Sequence, residues 1–182
     1  MDQKKRIAVV AIDVRLPGEA RGLDREPDIA RFLVEAGYEV DLLTSAFQHW
    51  NKAQRDTTDP EYSNLPYNVI FFDAPSYSKN ITPTRVVNHS IIAKSVQKHL
   101  KAHEYDLIFS RVPPNDLARV CAKYADQAGI PFVADVNDLW PEAMRMVFDV
   151  PPISTAAFSG FKRDADYVYQ HAAAVIGTSD EY

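Results

Sequence analysis

Strand-length apolar runs alternate along the chain with segments whose apolar residues recur every three to four positions. Residues 7–12 form a continuous apolar run, as expected of a strand covered on both faces. A charged loop follows from Asp13 to Glu26, after which Asp28 is placed to cap a helix with Ile29, Phe32, Leu33 and Ala36 on one face. Gly37 ends that helix, and residues 40–44 give a second strand. Strand, helix, glycine and strand in this order make a βαβ unit, which implies a parallel sheet. Residues 45–66 are polar and poorly periodic, a long loop in which Phe47 and Trp50 are the side chains suited to turn inward. Residues 69–72 form a third strand, and residues 84–103 a helix with Val87, Ile91, Ile92, Val96 and Leu100 inward. Residues 107–109 give a fourth strand. Asn115 or Asp116 then opens a helix with Leu117, Val120, Cys121, Tyr124 and Ala128 on one face, closed by Gly129. A fifth strand starts at Pro131, and a short helix is expected over 142–148, with a break at Pro151 and Pro152. A last helix carries Phe161, Ala165, Val168 and Ala172, and residues 174–176 make a sixth strand. The fold class is therefore α/β: a Rossmann-like, doubly wound, mainly parallel sheet of about six strands, with helices on both faces. Thr178 and Glu181 then repeat the Thr-x-x-Glu spacing of a capping box, so the chain is expected to be the front part of a longer polypeptide.

Composition narrows the classes. The 182 residues suit one domain, and 46% hydrophobic with 25% charged residues is a soluble globular mixture. The formal net charge is −5, and no basic cluster combines with exposed aromatics, which argues against nucleic acid as a partner. The single cysteine, Cys121, excludes an internal disulfide and a cysteine zinc site, fits a cytoplasmic location, and sits on an apolar stripe as a small core residue. No apolar run approaches the ~20 residues that span a bilayer. The helix over 84–103 carries Arg85, Lys94, Lys98 and Lys101, an ordinary solvated face that can also lie near anionic headgroups. A peripheral contact with the inner face of the membrane thus stays open.

Candidate chemistry concentrates in residues 131–142, Pro-Phe-Val-Ala-Asp-Val-Asn-Asp-Leu-Trp-Pro-Glu. A strand here releases Asp135, Asn137, Asp138, Trp140 and Glu142 at its carboxyl end, where open parallel sheets bind ligands. A helix-capping Asp138 and a Trp140 packed on the sheet edge are the structural alternatives. A dinucleotide is disfavoured. Gly18 and Gly22 in the first strand–helix loop do not make G-x-G-x-x-G, the second strand ends in Thr44 and Ser45 with no acid for a ribose, and no Walker A stretch is present. His99 and His103 have the i, i+4 spacing of zinc ligands without a third partner, and are read as a solvated helix face. Ser110, Ser159 and Ser179 lack a nucleophile elbow.

Tyr105-Asp-Leu-Ile-Phe-Ser110, the helix after it, and the stretch from Gly129 to Glu142 together resemble the N-terminal half of GT-B glycosyltransferases of the family 4 type. The Asp-x-x-Asp-Leu-Trp-Pro-Glu pattern is similar to that of bacterial capsule, O-antigen and exopolysaccharide enzymes, and residues 33–44 and 166–179 match further segments of that domain. The resemblance implies a retaining transfer of sugar from a nucleotide-sugar donor, with no metal and no cofactor, to a saccharide or lipid-linked acceptor. It implies that residues 1–182 are an N-terminal acceptor-binding domain, one half of a GT-B architecture, whose donor-binding C-terminal domain lies outside this chain. The fragment alone is then expected to be inert.

The same resemblance assigns roles. Asp135, Asn137 and Asp138 are the catalytic candidates, the two aspartates bonding acceptor hydroxyls; family members often carry His or Arg where Asn137 stands, so Asn137 is left to orient a sugar. Tyr77, Lys79, Asn80, Arg85, Arg111, Trp140 and Glu142 are the acceptor-side set, the cations suiting a phosphate-bearing acceptor. The donor-phosphate loop holds Gly18, Arg21, Gly22 and Arg25, where the family usually presents a glycine pair. Solvent-facing cations are the alternative. A nucleotide-sugar epimerase half, or a non-catalytic module or split-transferase subunit, are the competing functions.

Overall fold

The computed structural model describes residues 4–19, 24–79, 82–145 and 153–178. Among them the elements run β1 (Arg6–Val10), α1 (Arg25–Glu35), β2 (Glu39–Ser45), β3 (Phe47–Gln48), β4 (Ala53–Gln54), α2 (Pro60–Ser63) and β5 (Asn68–Phe72). They continue with α3 (Pro83–Ala102), β6 (Leu107–Val112), α4 (Asn115–Ala128), β7 (Phe132–Val136), α5 (Glu142–Arg145), α6 (Ile153–His171) and β8 (Ala174–Gly177). A six-stranded sheet has the order β5-β2-β1-β6-β7-β8, and every neighbouring pair is parallel. The chain builds outward from β1 to β5, α3 returns it to β6, and it builds outward again to β8. Strand order thus reverses between β1 and β6, with Val10 beside Ser110, and in open parallel sheets the crevice beyond the carboxyl ends at such a point is where ligands bind.

Both faces of the central strands are covered, which is why they read as unbroken apolar runs. Ala8, Val10, Ile108 and Ala134 pack with Ile92, Val96 and Leu100 of α3, Cys121 of α4 and Val168 of α6. Ile7, Val9, Val40 and Leu42 pack with Ala30 of α1, with Ile29, Leu33 and Val34 around them. At about 25 cal/mol per Å2 of apolar surface, these two layers dominate the stabilisation. Gly129 ends α4 at φ 67, ψ 31, the left-handed conformation expected of it.

Several expectations need correction. Helix α1 begins at Arg25, ahead of Asp28, because Pro27 lies in the first turn where its missing N–H costs nothing. Asp24 holds the cap position without a capping hydrogen bond, and Asp28 instead pairs with Arg31 at 3.3 Å. Phe32 faces outward, covered by the Arg31 guanidinium 4.2 Å from its ring, and Ala36 is exposed. In α3 the expected inward Val87 and Ile91 are exposed, whereas Asn88 and His89 are buried. The polar residues win because they have partners: Asn88 donates to the Pro75 carbonyl at 2.7 Å, and His89 lies against Arg85 and Asp13. The expected loop over 45–66 contains the antiparallel pair β3–β4 and the short helix α2. Phe47 turns inward as expected; Trp50 does not, and is 50% exposed. The fourth strand extends to Val112, beyond the expected end. His99 is half-buried, its Nε2 2.9 Å from the Tyr105 hydroxyl, while His103 is exposed. Residues 146–152 and the capping-box positions after Thr178 lie outside the described residues.

Candidate functional site

The crevice is walled by the loop after β1, the start of α1, the β3–β4 hairpin, Tyr77 after β5, the first turns of α3, and the segment after β7. Its centre is a lattice of paired charges. Asp135, the penultimate residue of β7, is fully buried and takes Arg25 in a bidentate pair, with Nε to Oδ2 at 2.9 Å and NH2 to Oδ1. Arg111, at the end of β6, points NH2 at Asp24 (3.1 Å), Nε at Glu26 Oε1 (2.7 Å) and NH1 at the Asp13 carbonyl (3.0 Å). Asn137 donates to the same Glu26 Oε1 at 3.3 Å. Glu26 is fully buried, and its Oε2 has no hydrogen-bond partner among the described residues. Burial raises the Glu26 carboxyl above its ordinary range, outweighing Arg111; burial likewise raises Asp135 against the pull of Arg25.

A second cluster adjoins it at the end of β1. Asp13 Oδ2 lies 3.0 Å from Arg85 NH2, 3.7 Å from His49 Nδ1 and 3.9 Å from His89 Nε2. The Tyr77 hydroxyl is 2.6 Å from His49 Nδ1. Burial pushes His89 down to about 4 and also lowers His49, Arg85 adding to both, so the imidazoles are neutral at neutral pH. Burial raises the Tyr77 phenol, which stays protonated. Arg85 reaches across toward Trp140, its guanidinium carbon 5.6 Å from that ring.

The loop after β1 is pinned by a buried clamp. Arg55, 7% exposed, contacts Glu19 through Nε at 2.6 Å and donates to the carbonyls of Ser45 and, at 2.6 Å, Val14. Tyr62 and Gln48 also donate to Glu19 Oε1, at 2.9 and 3.1 Å. Gly18 lies at φ 88, the left-handed region that favours glycine, with the Glu61 carboxylate beside it.

The structure brings together Asp135, Asn137, Arg25 and Arg111, and separately Tyr77, Arg85 and Trp140. Trp140 is half-buried, edge-on to Phe161 at 6.1 Å. Asp138, Lys79 and Glu142 are exposed. Arg21, Gly22 and Asn80 lie outside the described residues. Sequence reasoning missed Asp13, Asp24, Glu26, His49 and His89. Asp13 carried a signal, an acid directly after an apolar strand, as did Glu26 before Pro27. His89 stands four residues after Arg85, one helical turn, which could have paired them. His49 carried none, because the hairpin that places it was not legible.

Comparison with known proteins shows the fold. No protein-family description and no curated protein sequence matches the chain. Among solved structures, the glycotransferase of kitacinnamycin is 16% identical with a TM-score of 0.53, over 92% of this chain and 39% of that one. The C-terminal domain of a hydrogenase from Pyrococcus furiosus is also 16% identical, with a TM-score of 0.50, over 72% of this chain and 92% of that one. One sheet architecture thus serves unrelated chemistries, and function has to be argued from the site.

Proposed function

We propose that the chain is the acceptor-side half of a retaining, metal-independent glycosyltransferase of the family 4 type, acting on a nucleotide sugar and a saccharide or lipid-linked acceptor. The observation that carries this reading is the position of the Asp-x-x-Asp-Leu-Trp-Pro-Glu stretch: it leaves β7 into the crevice beside the strand-order reversal, with Asp135 bound to Arg25 from the opposite wall. The kitacinnamycin glycotransferase supports the fold of such a half, since this chain corresponds to 39% of its length. On this reading Asp138, exposed at the mouth, accepts a hydrogen bond from an acceptor hydroxyl, Asn137 orients the sugar, and Asp135 positions Arg25. Developing charge on the leaving pyrophosphate is met by donors of the loop after β1 together with the donor-binding half.

The test uses the intact polypeptide that joins both halves. Asp138→Ala removes an exposed side chain, so folding is preserved, and sugar transfer falls at least about tenfold, as loss of one positioned hydrogen bond implies. Unchanged transfer would overturn the assignment of that stretch. The 182 residues alone turn over no nucleotide sugar.

A further inference from the structure

Trp50 and Asp13 have no part in the roles above, and they share one end of the crevice. Trp50 stands at the tip of the β3–β4 hairpin with half of its surface open. It is nevertheless fixed: the Arg15 guanidinium carbon lies 3.8 Å from its ring centre, and the His49 ring meets it edge-on at 5.0 Å. Lys52, at φ 53, closes the turn and donates to the His49 carbonyl at 2.6 Å. Two links lead inward, from Trp50 through His49 to Asp13, and from Asp13 at 3.0 Å to Arg85, which in turn faces Trp140.

Among the described residues each arginine here has a carboxylate partner, and the Lys52 ammonium is held on the His49 carbonyl. Arg15 and Arg111 share Asp24, Arg111 also meets Glu26, Arg25 is paired with Asp135, and Arg85 with Asp13. A phosphate arriving among these groups would meet carboxylates as close as guanidiniums, and an anion site needs a surplus of positive potential. A ring of hydroxyls has the opposite requirement. It offers donors and acceptors in alternation, and an Asp–Arg pair supplies both at the spacing of two neighbouring hydroxyls, while uncharged His49, His89 and Tyr77 surround it. The apolar face of a sugar ring matches an exposed indole.

We propose that the Trp50–Asp13 end of the crevice is a subsite for an uncharged sugar ring of the acceptor, Trp50 stacking on the ring and the Asp13–Arg85 pair bonding two adjacent hydroxyls. This rests on the transferase reading and adds the chemical class of what the acceptor side holds: a neutral glycan rather than a phosphate.

The chain has two tryptophans, so Trp140→Phe leaves Trp50 as the sole indole emitter. That variant is titrated with a panel of neutral oligosaccharides, with inorganic phosphate and with pyrophosphate; in parallel, Trp50→Ala and Trp50→Phe proteins are compared with the unaltered chain in binding the same glycans and, as the intact polypeptide, in sugar transfer. The expected result is a change of Trp50 emission with at least one neutral glycan and none with either anion. Trp50→Ala weakens that glycan's binding at least tenfold, while Trp50→Phe, which keeps a stacking face, holds it within about threefold. Trp50→Phe keeps an aromatic face for Arg15 and holds the unfolding midpoint, whereas Trp50→Ala loses the half of the indole that packs on Arg15 and His49, so its binding is compared well below its own unfolding midpoint. If glycans bind or accept sugar but Trp50 emission and the Trp50→Ala affinity do not change, the subsite is wrong and the transferase reading stands. Preferential binding of phosphate or pyrophosphate at Trp50 overturns the neutral-ring assignment. If no glycan binds and the intact polypeptide transfers no sugar, the transferase reading falls and the subsite with it.

Discussion

His89 shows how burial sets chemistry at one side chain. The folded chain keeps it neutral down to about 4, whereas unfolded it takes a proton near 6.5. The associated stability is full above about 6.5 and is lost as pH falls toward 4, amounting to about 3 kcal/mol. Denaturant titrations across that window will show this slope, and His89→Gln will flatten it; an unchanged slope would place the titration elsewhere. Glu26 carries the opposite sign. Its carboxyl is raised, so the ionised form costs folding free energy at neutral pH, and that cost is relieved as pH falls through the raised value. Glu26→Gln is therefore expected to raise the denaturation midpoint at neutral pH, with the gain shrinking toward acid. These two residues were hardly legible in the sequence, because each takes its environment from elements distant in the chain: Glu26 from β6 and the segment after β7, His89 from the end of β1.

Helix α3 illustrates where periodicity misleads. An apolar-stripe argument turns Val87 and Ile91 inward, and it holds for Ile92, Val96 and Leu100 in the later turns. In the first turns, the hydrogen bond of Asn88 to Pro75 and the contacts of His89 rotate the buried face toward the crevice. Val87→Lys should then change stability by less than about 0.5 kcal/mol, where an inward valine would cost about 2 kcal/mol or more. The β3–β4 hairpin was illegible for a different reason: its strands are two residues each, and side-chain contacts between distant residues, with buried Arg55 at their centre, hold it to the loop after β1. Arg55→Ala strands the Glu19 carboxylate and is expected to cost about 3 kcal/mol; adding Glu19→Gln recovers much of it, because the loss comes chiefly from an unpaired buried charge. Additive losses in the double variant would argue that Arg55 acts through packing alone.

The sheet was the most legible part of the whole molecule, since strands covered on both faces and joined by amphipathic helices leave few topologies open. The Asp135–Asp138 stretch was legible because it is local, whereas its partners Arg25, Glu26 and Arg111 converge only through the strand-order reversal between β1 and β6. Cys121 checks the packing cheaply: it is fully buried, burial pushes its thiol up to about 12, and it should resist thiol reagents until the chain unfolds. The central claim, that this crevice is the acceptor side of a sugar transfer, is tested most directly by incubating a polypeptide that carries the proposed donor-binding half as well with nucleotide sugars and glycan acceptors in the presence of a metal chelator. The account predicts release of the nucleotide with a new glycosidic bond of retained anomeric configuration, at a rate that Asp138→Ala lowers at least about tenfold. Absence of any nucleotide-sugar turnover by the intact polypeptide, or transfer indifferent to Asp138→Ala, would contradict it.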